Sequence, residues 1–190
     1  MTKDSELESL LNFLGIAHNL WNLLLLGDGS GSLPTKPGGW ACFGVEQTFD
    51  ENGQSTIKYH EPVFGAVSCG PINWLETLPY WHFVRQHYYY MGGKEQCLTG
   101  KVIVHIVTDS QWAARAMSGH ARAKYHRDMA TMFAAFQDWG YQLHWHHVSR
   151  ETILLQSLAD RLSAQAREYL SAVEAPQEFW DMSQVSNSTS

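Results

Sequence analysis

The sequence predicts an α/β fold, a mixed sheet flanked by helices with one additional helix in front. Three observations lead there. Short apolar runs stop abruptly on acids, as buried strands do at a sheet's edge, and KVIVHIVT at 101–108 is β-branched at almost every position. Longer segments between and after these runs carry apolar residues at helical spacing. Finally, 44% hydrophobic and 13% aromatic residues against 17% charged describe a packed globular chain.

Taken in order, residues 5–20 place Leu7, Leu10, Leu11, Leu14 and Ala17 on one helical stripe. The apolar run at 22–27 reads as a buried strand and GWACFGVEQ at 39–47 as a second one. ENGQ at 51–54 is a turn signal, and Pro62 breaks the third strand region, 55–67. Residues 73–91 turn helical, and Pro79 predicts a kink or a late start because its ring removes a backbone donor. After the strand at 101–108, Ser110 caps a short helix to Ala116, and a second helix spans 124–139, stopped by Gly140. A strand at 141–148 and a helix from Thr152 to about Val173 complete the series. A length of 190 residues favours one domain, here 21–174, with a helical extension at 1–20 and a polar, frayed tail at 175–190.

Charge and cysteine content exclude several function classes. Thirteen Lys and Arg against 19 Asp and Glu leave a net charge of −6, which opposes coating nucleic acid by bulk electrostatics. Cys42, Cys69 and Cys97 form no CxxC pair, so neither a disulfide framework nor a zinc knuckle is indicated. The first residues carry acids where an export signal carries basic residues, and no apolar run nears the roughly 18 residues that span a bilayer. A cytoplasmic protein without membrane association is expected.

The chemistry rests on four acids. Asp28 and Asp109 each follow an apolar strand, and in open α/β sheets ligands bind beyond the carboxyl ends of the strands. Glu76 and Asp160 stand within otherwise apolar helical stretches. Four converging carboxylates repel one another unless divalent cations sit among them, and an all-oxygen donor set suits Mg²⁺ or Mn²⁺ rather than zinc. His144 and His146 share one strand face, but no acid or cysteine stands at ligand spacing, so they read as a solvated or hydrogen-bonded strand surface. His105 reads as a satisfied core histidine.

Five motifs in order make the chain resemble the ribonuclease H family: Asp28-Gly29-Ser30 after the first strand, Pro37-Gly38-Gly39-Trp40-Ala41 opening the second, Trp74-Leu75-Glu76 on the first long helix, Thr108-Asp109-Ser110-Gln111, and Leu158-Ala159-Asp160-Arg161-Leu162-Ser163 on the last helix. The resemblance runs from about Leu23 to Tyr169. It implies a five-stranded mixed sheet and hydrolysis of the RNA strand of RNA–DNA hybrids with two Mg²⁺ ions, Mn²⁺ able to substitute. Carried over, Asp28 would bridge both ions and Asp160 would help hold the one activating water. Glu76 and Asp109 would ligate the one beside the leaving 3′ oxygen.

The same resemblance implies substrate contacts at Gly29, Ser30, Asn73, Ser110 and Gln111, with small residues around Asp28 letting a nucleic-acid backbone pass close. Lys36 is a candidate phosphate contact. GHARAKYHRD at 119–128 puts Arg122, Lys124 and Arg127 where some family members carry a basic insertion that grips DNA; a solvated interhelical loop explains it equally. Gln156 stands where the family often has asparagine, and His147 or Arg150 is the candidate aid to product release. Two other classes stay open: a domain of this fold that binds nucleic acid or a protein without cutting, and another nuclease of the superfamily. The Pro-Gly-Gly opening and Thr-Asp-Ser-Gln oppose the latter. The first helix could mediate self-association, dock a protein partner, or cap exposed core.

Overall fold

A computed structural model describes residues 3–16, 21–31, 35–90, 102–118, 126–149 and 154–172. Helix α1 (Lys3–Phe13) precedes strands β1 (Asn22–Ser30), β2 (Gly38–Phe49), β3 (Ser55–Tyr59) and β4 (Val63–Val67). Helices α2 (Ile72–Leu75) and α3 (Leu78–Tyr90) lead to β5 (Val102–Thr108), and α4 (Gln111–Met117) and α5 (His126–Asp138) to β6 (Tyr141–His147) and α6 (Leu154–Ala172). No helix among the described residues is long and apolar enough to cross a membrane.

The sheet runs β3-β2-β1-β5-β6, with β4 also on β2. β1 lies at its centre, antiparallel to β2 and parallel to β5, which is in turn parallel to β6. The third strand region expected from the sequence is two strands. β3 pairs with Val45 to Phe49 and β4 with Gly38 to Cys42, so they lie end to end along one edge of β2. Pro62, lacking an N–H for the ladder, stands in the gap between them. Six strands thus occupy five positions of a mixed sheet.

Side-chain alternation on the central strands builds two cores. Leu23, Leu25, Val104 and Ile106 meet Tyr80, Phe83 and Val84 of α3 and Phe133 and Phe136 of α5. Leu24, Leu26 and Val107 face the opposite way and meet Leu10, Leu11 and Ile16. All four leucines are at most 2% exposed, and each such burial contributes about 1.5–3 kcal/mol.

Two boundaries differ from the sequence reading. The first helix ends at Phe13 instead of running to residue 20, because Gly15 takes φ +66° and closes it: Ile16 N–H donates to Leu11 O and Gly15 N–H to Asn12 O. Leu10, Leu11 and Leu14 of this segment pack on the core beneath it, as the capping role expects. The long helix expected at 73–91 does start late: Pro79 cannot donate to Leu75, and the chain breaks at Glu76 and Thr77 before α3 begins. Residues 17–20, 119–125 and the tail from 173 lie outside the described residues.

Candidate active site: a carboxylate notch where two strands part

β1 and β5 pair from Asn22↔Ile103 to Leu26↔Val107 and then separate, while β1 stays paired with β2 as far as Ser30↔Gly39. The separation opens a notch at the strands' carboxyl ends. Two residues beyond the last pair stand Asp28 on one strand and Asp109 on the other, level across the gap. Asp28 lies inside β1 rather than after it, opposite Ala41, and is 1% exposed. Asp109 sits in a tied turn: Ser110 N–H donates to the Thr108 hydroxyl, and the Ser110 hydroxyl accepts from Ala113 N–H to cap α4.

Glu76 reaches the notch because Gly29 has no side chain. A Cβ at position 29 would lie 2.3 Å from the carbonyl carbon and oxygen of Leu75 and 2.7 Å from Glu76 N, so only glycine lets the end of α2 press against β1. In the structure the close neighbour of Gly29 is the chain itself. Gly39 does the same for α6, since a Cβ there would meet Ser163 O at 2.0 Å. The Ser163 hydroxyl consequently lies 3.2 Å from Asp28 Oδ2 and 2.8 Å from the Asp160 carbonyl, able to donate its single hydrogen to either.

Ligand oxygens of Asp28, Glu76 and Asp109 all fall within 4.8 Å of one another. Two unit charges at that separation repel by roughly 3–4 kcal/mol at an effective dielectric near 20. The donor set is oxygen only, which fits a hard divalent cation such as Mg²⁺. Asp160 is half-buried one turn before Ser163, and its carboxylate is not part of that cluster. The structure thus brings three of the four expected acids together and joins the fourth to Asp28 through Ser163.

Sequence reasoning missed two residues of this architecture. Tyr80 is fully buried under the split, its hydroxyl 2.7 Å from the Gly27 carbonyl and 2.8 Å from that of Val107, the last backbone oxygens before the strands part. Burial pushes its phenol well above the ordinary value, so it remains a neutral donor. Ser163 is the other; it lay inside the Leu158 to Ser163 motif, three residues from an acid, and that spacing was the available signal.

The remaining candidates are placed unevenly. His147 is exposed at the end of β6 opposite Thr108, beside Asp109. Ser30 and Asn73 are half-buried near the notch's strands and helix, while Lys36 and Gln111 are exposed. Arg127 is the second residue of α5 and Gln156 the third of α6 as backbone positions. Arg122, Lys124 and Arg150 lie outside the described residues. The histidine row is hydrogen bonded, as expected: His105 Nδ1 is 3.0 Å from His146 Nε2, and its Nε2 is 3.3 Å from Asn22 Oδ1. Burial, then the neighbouring His146 and His144, pulls His105 down to about 4.

A central parallel pair split by acids, with one helix crossing the strand end and another packed on the far face, is the ribonuclease H-like fold. Solved structures agree. The N-terminal RNase H domain of rv2228c from Mycobacterium tuberculosis is 14% identical, covering 82% of this chain and 99% of that one, with a TM-score of 0.59. LC11-RNase H1, solved in complex with an RNA/DNA hybrid, is 17% identical over 78% of this chain and 99% of its own, with a TM-score of 0.60. RNase H1 from the halophilic archaeon Halobacterium salinarum NRC-1 is 16% identical over 78% and 98%, with a TM-score of 0.51. No protein-family model and no curated protein matches the chain.

Proposed function

We propose that the protein is a metal-dependent endonuclease that hydrolyses the RNA strand of RNA–DNA hybrids in the cytoplasm. The observation that carries this reading is the meeting of Asp28, Glu76 and Asp109 within 4.8 Å at the split between β1 and β5 of a ribonuclease H-like fold. An RNA/DNA hybrid bound to the similar LC11-RNase H1 supports the choice of substrate.

Asp28, Glu76 and Asp109 would hold Mg²⁺, with Asp160 taking part in holding a second ion. When bound, such cations neutralise charge on the scissile phosphate and lower the pKa of water that attacks it. The chain's own residues fix the geometry. Tyr80 holds the two strand ends apart at a set width, Ser163 orients Asp28 and ties it to α6, and Gly29 keeps Glu76 over the notch. Water oxygen adds to phosphorus as the P–O3′ bond breaks, leaving a 3′ hydroxyl and a 5′ phosphate. Exposed His147 stands beside Asp109, placed to pass a proton to solvent as product leaves. Ser30, Lys36, Asn73, Gln111 and the basic run at Arg122, Lys124 and Arg127 would contact the hybrid. Recognition through the 2′ hydroxyl and groove shape needs little reading of bases.

The test compares cleavage of hybrid, duplex DNA and single-stranded RNA in Mg²⁺ for wild type and Asp109→Asn. Only the hybrid's RNA strand should be cut, and the variant should lose at least about 10³-fold in rate, several kcal/mol of metal-dependent stabilisation at 1.36 kcal/mol per decade. Hybrid binding without Mg²⁺-dependent cutting would select the binding-only reading instead, toward which Gln156 in place of asparagine leans.

A further inference from the structure

At the far end of β2 lies a second polar cluster of different composition. Glu46 of β2, His60 just past β3 and His87 of α3 each offer one ligand atom, and these atoms lie within 4.8 Å of one another. Glu46 is five residues along β2 from Ala41, the partner of Asp28, hence roughly 16–17 Å from the notch. The two sites do not share a residue.

Most hydrogen-bonding atoms of this cluster have partners among the described residues. Glu46 Oε2 lies 2.9 Å from His60 Nε2, and Glu46 Oε1 accepts from Trp21 Nε1 at 2.6 Å. His87 Nδ1 is 2.8 Å from the Tyr141 hydroxyl. The other ring nitrogen, His87 Nε2, is buried on a side chain only 1% exposed and makes no hydrogen bond, although Glu46 Oε1 stands 3.5 Å away. A buried polar atom without a hydrogen bond costs about 1–3 kcal/mol, and His87 Nε2 is left with only an ion-pair contact to Glu46 at 3.5 Å.

We propose that Glu46, His60 and His87 form a binding site for Zn²⁺, separate from the carboxylate notch. Two imidazoles and one carboxylate suit a borderline ion such as zinc and not Mg²⁺. Zinc bonds near 2.0–2.1 Å set tetrahedral ligand atoms about 3.3–3.4 Å apart, close to the observed 3.5 Å between His87 Nε2 and Glu46 Oε1; His60 Nε2, now 2.9 Å from the other oxygen, Oε2, would exchange that contact for the ion. The outer contacts already have the form a metal site requires. Tyr141 holds the distal nitrogen of His87, and Trp21 holds an oxygen of Glu46. Three protein ligands leave the fourth position to water, reachable past His60, which is half-buried. Bound zinc would clip β2, the end of β3 and α3 together.

The full chain, stripped with chelator and back-titrated with Zn²⁺ against a chromophoric competitor, should bind one equivalent and gain about 5–10 °C in Tm at roughly 100-fold excess over Kd. Co²⁺ in its place should give the visible absorption of tetrahedral coordination. Asp28→Asn with Asp109→Asn should keep that equivalent. His60→Gln, chosen because His60 is the least buried ligand, should weaken it by about 100-fold or more, and Trp21→Phe by about 10-fold through the lost outer contact. Absence of a zinc equivalent, its persistence at full affinity in His60→Gln, or its loss in the notch variants would each overturn the proposal. His87→Phe repeats the test if it folds; His60→Gln decides it either way.

Discussion

Asp28 and Glu46 are both buried carboxylates on adjacent central strands, 1% and 5% exposed, yet their surroundings are opposite. Asp28 faces two further acids across a gap where the ladder has opened, with the Ser163 hydroxyl among its partners. Glu46 faces two imidazoles and an indole N–H where the ladder is intact on both sides. One carboxylate is held in spite of its neighbours and the other because of them. Folding alone rewards the second arrangement, and the crowding of acids in the first is what the proposed cation binding would account for.

Replacing each acid by its amide breaks this comparison most sharply. Asp28→Asn should lose at least about 10³-fold in hybrid cleavage, since the notch loses a charge needed for cation binding. In Mg²⁺-free buffer the same change should raise stability by about 1 kcal/mol or more, because repulsion from Glu76 and Asp109 is relieved. Glu46→Gln should do the reverse, lowering stability by about 1.5–3 kcal/mol as charge-assisted hydrogen bonds are lost, with cleavage in Mg²⁺ retained. Thermal unfolding of both variants beside cleavage rates checks the pair. Equal signs in the two melting shifts would show that the carboxylates are held alike.

Gly29→Ala separates the notch's architecture from its charge. The added methyl would fall 2.3 Å from the backbone of Leu75, too close for side-chain adjustment to absorb, so α2 must move away from β1. Overpacking of this kind costs about 1–3 kcal/mol, and the displaced Glu76 should reduce cleavage while all acids remain present. Denaturant melts with hybrid-cleavage rates read both effects; wild-type stability in Gly29→Ala would mean that the helix end is free to shift.

The grouping of Asp28, Glu76 and Asp109 was legible because acids after strands and on a helix form a pattern that survives in one dimension, whereas the Asp160 carboxylate stays outside their cluster. Gly29 was seen, but its local sequence does not say that the backbone of Leu75 presses against it. Gly15 was readable as a helix stop, yet Ala17 prolonged the apolar stripe past it. Ser163 and Tyr80 act through hydrogen bonds to residues 135 and 53 positions away, and no local spacing encodes such a partner. Glu46, His60 and His87 stayed invisible for the same reason, being gathered by pairing of β2 with β3 and packing of α3, while the histidines of β6 drew attention and one of them, His146, proved to bond across to His105 of β5.

Tyr80→Phe makes the smallest and most specific change. It keeps the ring that packs beneath the sheet and removes only the hydroxyl that meets Gly27 and Val107. At most one of those carbonyls receives its hydrogen at a time, so the loss is one hydrogen bond in a buried place, about 1–2 kcal/mol of stability. Activity should respond more than that bond's strength suggests, because the hydroxyl sets the separation of the strands that carry Asp28 and Asp109, and catalytic groups tolerate misplacement poorly. The expected result is a roughly 10-fold lower kcat with KM little changed, since the hybrid's contacts outside the notch are untouched. A change confined to KM would place Tyr80 in substrate binding, and neither parameter moving would show that the notch keeps its width without it.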